Sequence, residues 1–358
     1  MLFGGVYSRK RVLVTGDTGF KGSYLAYWLT TLGAEVLGVS LPAPEGDSHF
    51  SLLPERSWKT HFCDIRNREE LREIVSSFCP EIVFHLAAQP LVRLSYAESA
   101  ATFDTNVTGT MNLLEAIRHT PECRSVVIIT SDKCYENRED GVPCVETDPM
   151  GGFDPYSASK GCAELLVSCY ARSFFASGST LVASARAGNV IGGGDWAADR
   201  LIPDLMRAAA SGREAVLRNP NAHRPWQHVL EPLSGYLHLG AYLYSGDRSF
   251  VGGWNFGPAD NETLPVQEVA ARIRKFWPRF QYRIEADANA PHEATLLRLD
   301  CSKSRKYLNW HGVWDIDKTL EMTAKWYAAF YDKQKIVSGE MLQEYISDAS
   351  KKGLIWTR

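Results

Sequence analysis

Two residues with acid–base side chains, Tyr156 and Lys160, lie four positions apart at the start of an amphipathic segment. If this segment is a helix, both side chains lie one turn apart on the same face. A free phenol, with a pKa of about 10, is a poor base at neutral pH, but a nearby ammonium group favours its phenolate form. The pair could then remove a proton from a hydroxyl group. Because this spacing is also a common accident, the interpretation needs support from other motifs.

A glycine-rich turn with the pattern GxxGxxG joins the first predicted strand to the first predicted helix. Glycines let the backbone approach a pyrophosphate, while the free amides and the positive dipole at the helix start stabilise its charge. The alternative is a tight turn that needs glycine only for its backbone angles. The position between a strand and a helix favours dinucleotide binding. The predicted cofactor contacts in this turn are Gly16, Thr18, Gly19, Phe20, Lys21 and Gly22.

The residue at the end of the second predicted strand indicates whether NAD or NADP binds. A ribose-binding acid is expected about 20 residues after the glycine turn, and Ser40 occupies that place. No arginine follows closely to hold a 2′-phosphate. The sequence therefore favours NAD over NADP.

Three further polar residues, Ser131, Asp132 and Lys133, follow the fifth predicted strand. A parallel sheet presents its catalytic groups at the carboxyl ends of its strands, so these side chains are candidates for proton transfer. The alternative for Asp132 and Lys133 is an ion pair in a surface loop.

Together these motifs resemble the extended short-chain dehydrogenase/reductase family, in particular its NAD-dependent nucleotide-sugar epimerases and dehydratases. In the glucose dehydratases of that family an Asp-Glu pair follows Thr or Ser. Here lysine replaces the glutamate, which resembles the branch that acts on CDP-glucose. The resemblance extends over nearly the whole chain, through GFKGS at 19–23, AAQP at 87–90, RPWQHV at 224–229 and PHEA at 291–294.

The resemblance implies NAD-dependent removal of water from CDP-glucose or another nucleoside-diphosphate glucose, without a metal. Tyr156 would remove the proton of the sugar O4, Ser131 would hydrogen-bond that oxygen, and Lys160 would fix the nicotinamide ribose. Asp132 would protonate the C6 hydroxyl and Lys133 would remove the C5 proton. The roles of Asp132 and Lys133 both require shifted pKa values, although two adjacent groups of opposite charge favour each other's ionised form.

The resemblance also implies contacts outside these motifs. Asp64 would accept from the adenine amino group, although it could instead cap the following helix. Arg93 could likewise cap a helix, and Trp226 could belong to the core. The further cofactor contacts are Ser40, Asp64, Ile65, Leu86, Ala87, Ala88 and Asn106. The substrate contacts are Gln89, Arg93, Asn189, Arg200, Arg207, Arg224 and Trp226.

Two rival functions share part of this pattern. An NAD-dependent sugar-nucleotide 4-epimerase needs the tyrosine, the lysine and the glycine turn, but neither a C5 base nor a C6 acid. A non-catalytic NAD-binding scaffold needs only the turn. The pair Asp132 and Lys133 argues against the first rival, and intact Tyr156 and Lys160 argue against the second.

The elements that must position these residues alternate between apolar runs and amphipathic segments. This alternation of strand-like and helix-like segments predicts an α/β fold with a Rossmann-like, doubly wound parallel sheet. The predicted strands are 11–15, 35–40, 60–63, 82–86, 126–130 and 180–186, and the predicted helices are 22–32, 68–78, 102–119, 157–175, 201–211, 230–243, 265–276 and 316–331. The NAD-binding domain would comprise 1–188 with 226–255. A smaller, mixed α/β substrate-binding lobe would comprise 189–225 and 256–358.

Composition excludes several classes of function. The net charge of −3 provides no positive field for nucleic acid. The eight cysteines show no zinc or redox spacing, which is typical of reduced thiols in the cytoplasm. Neither a signal peptide nor an apolar run of about 18 residues is present, so no membrane contact is expected. The resemblance further implies a homodimer or a dimer of dimers, formed through helices 102–119 and 157–175.

Overall fold

The protein is described by a computed structural model that covers residues 1–54, 56–137, 140–197, 200–217, 219–258, 263–279, 281–285 and 297–358. The segment 291–294, which contributed to the family resemblance, lies outside the described residues. Within the described residues, no helix combines the length and the apolar character needed to cross a membrane.

A seven-stranded parallel sheet forms the centre of the molecule, in the order β11-β6-β5-β4-β1-β2-β3. The chain order reverses beside β1, whose two neighbours are β2 and β4. Ligands of doubly wound sheets bind at the carboxyl ends of the strands beside such a reversal. The strands of this sheet are β1 (Arg11–Thr15), β2 (Glu35–Ser40), β3 (Lys59–Phe62), β4 (Ile82–His85), β5 (Ser125–Ile129), β6 (Leu181–Ala187) and β11 (Gly252–Phe256). The predicted fold class is confirmed.

The remaining strands described form three two-stranded sheets, of which two are parallel and one is antiparallel. They are β7 (Val190–Ile191), β8 (Ala215–Leu217), β9 (His223–Pro225), β10 (Gln227–His228), β12 (Thr263–Pro265) and β13 (Tyr282–Ile284). The α-helices are α1 (Phe20–Thr31), α2 (His49–Leu52), α3 (Arg68–Phe78), α4 (Val92–Ala97), α5 (Ser99–Phe103), α6 (Gly109–Arg118), α7 (Pro155–Ser173), α8 (Leu201–Ala210), α9 (Leu230–Ser245), α10 (Val266–Phe276), α11 (Ser302–Tyr307), α12 (Ile316–Lys333) and α13 (Ser338–Lys351).

Both faces of the central sheet are covered at its middle, so the inner strands β1, β4 and β5 are largely apolar on both sides. Along β1, Leu13 packs into one core while Val12 and Val14 pack into the other, as the two-residue period of a strand requires. The core around Leu13 includes residues of α3, α6 and α7. The opposite core includes residues of α1, α9 and α12. This double layer fixes the carboxyl ends of β1, β4 and β5 next to one another.

Several elements differ from the predictions, and three of them are in or beside the large elements of the fold. The predicted helix 102–119 is divided into α5, a π-helical turn at Asp104–Thr108, and α6. The strand β11 (GGWNF) was not predicted, because its two glycines weaken the strand pattern, and the 14-residue helix α13 was not predicted either. β11 pairs with β6 at the sheet edge. The division of the chain into two lobes stays a prediction.

Candidate active site

The glycine turn between β1 and α1 fits a pyrophosphate. Gly16 has a φ of +79°, and a Cβ there would lie 2.6 Å from the amide nitrogen of Ala87. A Cβ on Gly22 would lie 2.0 Å from the carbonyl oxygen of Gly16. Helix α1 begins after Gly19, which offers no side-chain cap. The amides of its first turn therefore remain available to a bound anion.

A buried carboxylate that sequence reasoning missed, Asp17, organises this turn. Asp17 accepts hydrogen bonds from Ser40 Oγ at 2.7 Å, Trp58 Nε1 at 2.9 Å and Thr60 Oγ1 at 2.5 Å. Ser40 Oγ also accepts from the amide of Thr18 at 3.3 Å. The hydroxyl of Ser40 is thus bonded to the turn itself, and its contact with the cofactor ribose stays a prediction.

The loop after β4 lies against the glycine turn and is held by two amide side chains. Asn106, on the π-helical turn, accepts from the amide of Gln89 at 2.8 Å and donates to Ser159 Oγ at 2.8 Å. The side chain of Gln89 accepts from the amide of Leu91 at 2.5 Å and donates to Thr102 Oγ1 at 2.9 Å. Both side chains therefore position the loop at residues 86–89 and tie it to α7.

Two cofactor candidates follow β3. Asp64 accepts from the backbone amide of Arg66 at 2.9 Å and from its Nη2 at 2.6 Å, and the hydrogen bonds of Arg66 lower the pKa of this carboxyl. The N-cap of α3 is Asn67, so Asp64 does not cap that helix. Ile65 is buried against Gly109, where a Cβ would lie 2.5 Å from Ile65 Cδ1.

The proton-transfer candidates meet where β5 ends and α7 begins. Ser131 Oγ donates to Asp132 Oδ1 at 2.9 Å, and the same hydroxyl lies close enough to Tyr156 to influence the pKa of its phenol. Asp132 opens a short 3-10 turn, Asp132–Cys134, which contains the half-buried Lys133. Lys160 Nζ donates to the carbonyl oxygen of Ile129 at 3.4 Å. The structure thus brings the phenol, the hydroxyl and the carboxyl together at one site.

Burial governs the titration of these groups. It raises the pKa of Tyr156 to about 12, against the opposing influence of the Ser131 hydroxyl. It lowers the pKa of Lys160 to about 8. It also raises the pKa of Asp132, against the positive charge of Lys133. The carboxyl is thereby shifted towards its protonated form, as an acid in this position requires.

Further positive charges surround Asp132 and Tyr156. Burial and the charge of Arg200 lower the pKa of Lys21 to about 8, and Asp132 opposes that shift. Arg200 pairs with Asp195 at 3.0 Å, and its charge also acts on Tyr156. Lys21 and Arg200, which were predicted for cofactor and substrate, therefore both lie near the proton-transfer groups.

The structure places some of the other predicted substrate contacts near the proton-transfer groups and others away from them. The guanidinium of Arg224 is buried on β9, and its charge acts on Asp132. Asn189 is half-buried between β6 and β7. Arg93 is exposed on α4, a helix whose Ser95 accepts from the amide of Tyr156 at 3.1 Å.

Two predicted contacts have structural partners away from this cluster. Arg207 pairs with Asp204 on its own helix and donates to the carbonyl oxygen of Trp196 at 2.6 Å. Trp226 is buried in the core and donates to the carbonyl oxygen of Leu264 at 3.2 Å. Their contacts with a substrate stay predictions.

These features can be compared with known proteins. The family model for GDP-mannose 4,6 dehydratases matches residues 13–323 of the chain. The chain belongs to this family. Among its curated relatives, the CDP-glucose 4,6-dehydratase of Salmonella typhimurium is 47% identical over 350 residues, which cover 96% of this chain and 98% of the relative. The predicted family resemblance is confirmed.

Solved structures share the fold of this GDP-mannose 4,6 dehydratase family chain. The dTDP-glucose 4,6-dehydratase of Bacillus anthracis in complex with NAD has a TM-score of 0.75 at 21% identity, over 90% of this chain and 98% of that one. A UDP-glucose-4-epimerase of Stenotrophomonas maltophila with bound NAD has a TM-score of 0.78 at 22% identity, over 90% of this chain and 99% of that one. Dehydratases and epimerases therefore share this scaffold, and the side chains of the site must separate the two reactions.

Proposed function

We propose that this chain is an NAD-dependent CDP-glucose 4,6-dehydratase, which converts CDP-glucose into CDP-4-keto-6-deoxyglucose. The observation that carries the proposal is the grouping of Tyr156, Ser131 and Asp132 at the carboxyl edge of the sheet, where Ser131 donates to Asp132 and both residues influence the pKa of Tyr156. The 47% identity with the Salmonella typhimurium relative supports CDP-glucose as the substrate. The glycine turn, together with NAD in both solved neighbours, supports the cofactor.

The first half of the proposed reaction is oxidation of the sugar at C4. The turn at residues 16–22 would hold NAD, which would supply the hydride chemistry: acceptance of a hydride from C4 and its return to C6. Tyr156 removes the proton of O4, and the hydroxyl of Ser131 hydrogen-bonds that oxygen. The positive charge of Arg200 favours the phenolate of Tyr156. Lys160 holds the nicotinamide ribose beside them.

The second half is loss of water across C5 and C6. A ketone at C4 makes the C5 proton acidic, and Lys133 removes it in its neutral amine form, becoming an ammonium group. Asp132 protonates the departing C6 hydroxyl. Burial of Asp132, which raises its pKa, supports this role, and the charges of Lys133, Lys21 and Arg224 oppose the shift. The two reaction halves use neighbouring groups because the turn Asp132–Cys134 directly follows Ser131.

Turnover of CDP-glucose in deuterated water is the test of this reaction. The expected product carries deuterium at C5, because the base that acts on C5 exchanges its protons with the solvent. It has also lost the C6 oxygen, because the acid protonates that oxygen and it leaves as water. Mass spectrometry and NMR of the product distinguish this outcome from epimerisation. An inverted hexose that retains its C6 oxygen would instead identify a 4-epimerase, and NAD binding without turnover would identify a scaffold.

The proposal includes a homodimer or a dimer of dimers in the cytoplasm. Helix α7 exposes Leu165, whose accessible fraction is 61%, and Phe174 at its end is 46% exposed, which supports a partner surface there. The cysteines are free thiols, which supports a reducing compartment. Light scattering is expected to give at least twice the chain mass of 40.0 kDa. A monomeric mass for the wild-type protein, together with a Leu165→Glu variant of unchanged mass, contradicts the dimer.

A further inference from the structure

A buried histidine, His49, lies where the cofactor turn, the loop after β7 and the C-terminal helix α13 meet. Its Nδ1 lies 2.8 Å from Oγ of Ser23, in the first turn of α1. Its Nε2 lies 2.9 Å from Oγ of Ser338, the first residue of α13. One imidazole therefore joins the helix that begins at the glycine turn to a helix that lies beyond residue 323, where the match of the family model ends.

The hydrogen bonds on either side of His49 form one continuous network. Trp326 Nε1 donates to Ser338 Oγ at 2.9 Å, and Ser23 Oγ donates to the carbonyl oxygen of Phe20 at 3.0 Å. An indole can only donate and a carbonyl can only accept, so the directions agree when the neutral imidazole carries its proton on Nδ1. Burial lowers the pKa of His49 to about 3, which keeps the ring neutral at physiological pH. We call these five residues the His49 network.

The ring of His49 also supports the loop after β7. It stacks on Tyr24 with 3.6 Å between the ring centroids, and the hydroxyl of Tyr24 donates to the carbonyl oxygen of Gly193 at 2.9 Å. The amide of His49 donates to the carbonyl oxygen of Gly194 at 3.0 Å. A Cβ on Gly193 would lie 1.9 Å from Trp326 Cγ, so the loop is packed tightly against α12. The imidazole is therefore held from several sides.

The place of Ser23 in α1 connects the His49 network to the cofactor turn. The amide of Ser23 donates to the carbonyl oxygen of Gly19 at 2.9 Å, so the amides of residues 20–22 precede this helical hydrogen bond and point towards a bound anion. Such amides bind a pyrophosphate best when their direction is fixed before binding. Because His49 ties Ser23 to α13, a shift of this turn away from the phosphates breaks hydrogen bonds in the network.

We propose that His49 is a positioning residue that keeps NAD bound between the two hydride transfers. The need for such retention rests on the proposed function, in which the hydride taken from C4 must return to C6 of the same sugar. An enzyme that lost its cofactor between these steps would release a 4-keto sugar without its hydride. His49 acts through Ser23, and α13 acts through His49.

Release of isotopically labelled NAD from loaded, full-length enzyme, chased with unlabelled NAD, measures this role without a substrate. His49→Phe keeps a ring on Tyr24 but has no ring nitrogen, and its release rate should rise by about 10- to 100-fold. Ser338→Ala removes only the α13 end of the network and should raise the rate by about 3- to 10-fold. KM for CDP-glucose should stay the same, while turnover by His49→Phe should come to depend on added NAD.

Two further variants separate positioning from a general loss of packing. His49→Asn places an amide near the position of Nδ1, so it should keep the bond to Ser23 and release NAD more slowly than His49→Phe. The double variant of His49→Phe with Ser338→Ala should release NAD no faster than His49→Phe alone, because Ser338 acts through the imidazole. The matched control is Ser347→Ala, which removes a hydroxyl from an exposed position on α13 and should keep the wild-type rate.

Circular dichroism and thermal unfolding establish that each variant is folded. If folded His49→Phe and Ser338→Ala both release NAD at the wild-type rate, the inference is wrong while the proposed function stands. If Ser338→Ala accelerates release equally with and without His49, α13 acts by another route and the inference is again wrong. If the variants behave as expected but the wild type leaves CDP-glucose unchanged, the proposed function fails while the effect of His49 on the cofactor stands.

Discussion

Replacement of Tyr156 by phenylalanine is expected to lower kcat for CDP-glucose by about 100- to 10,000-fold, the range that a general base contributes. The phenol is buried, and Ser131, Asp132 and Arg200 lie close enough to influence its pKa. Phenylalanine fills the same space but cannot accept the O4 proton. NAD content and the free energy of unfolding should therefore change little, and the measurement is the rate of 4-keto sugar formation by folded, NAD-loaded enzyme.

Helix α7 offers a matched control for this substitution. Tyr170 stands on the same helix, and its hydroxyl donates to Glu115 at 2.7 Å, away from Ser131. Tyr170→Phe should retain the wild-type rate. A Tyr156→Phe variant that turns over as fast as Tyr170→Phe would contradict the assigned role of the phenol, whatever the identity of the substrate.

The position of the proton-transfer groups could be predicted because each depends on local pattern. Strands β1, β2 and β4 to β6 appear within one residue of their predicted positions, since buried parallel strands give continuous apolar runs. The helix α3 was predicted with its observed bounds, Arg68–Phe78, because its amphipathic period is strong and Asn67 caps it. Once the strand ends are fixed, residues that follow β5 and residues that begin α7 must lie close together.

The contacts between distant residues could not be predicted in this way. Asp17 receives its hydrogen bonds from Ser40, Trp58 and Thr60, which the sequence presents as unrelated polar residues. No local period marks a carboxylate that will be buried. Ser40 could be placed at the end of β2, but the direction of its hydroxyl depends on Asp17.

The buried polar groups beneath the site were also not predicted from the sequence. Replacement of one of them is expected to give the largest change in the free energy of unfolding. Glu164 on α7 and Arg186 on β6 form an ion pair whose side chains are only 4% and 5% exposed. Arg186 donates to Glu164 through Nε at 2.9 Å and Nη2 at 2.7 Å, and Ser184 Oγ donates at 2.6 Å. Thr130, next to Ser131, donates to the same carboxylate. This cluster therefore couples the end of β5 to α7.

Arg186→Met is expected to lower the free energy of unfolding by about 3–5 kcal/mol, because it leaves the carboxylate of Glu164 buried without its cation. Urea denaturation followed by circular dichroism measures the change. The double variant Arg186→Met with Glu164→Gln should recover part of the loss, since no unpaired charge then remains in the core. The control is Arg72→Met, which breaks an exposed pair with Glu69 and should cost about 0–1 kcal/mol. If both single variants lose equally little, the buried pair does not hold α7 against the sheet, and the rigid placement of Tyr156 must come from apolar packing instead.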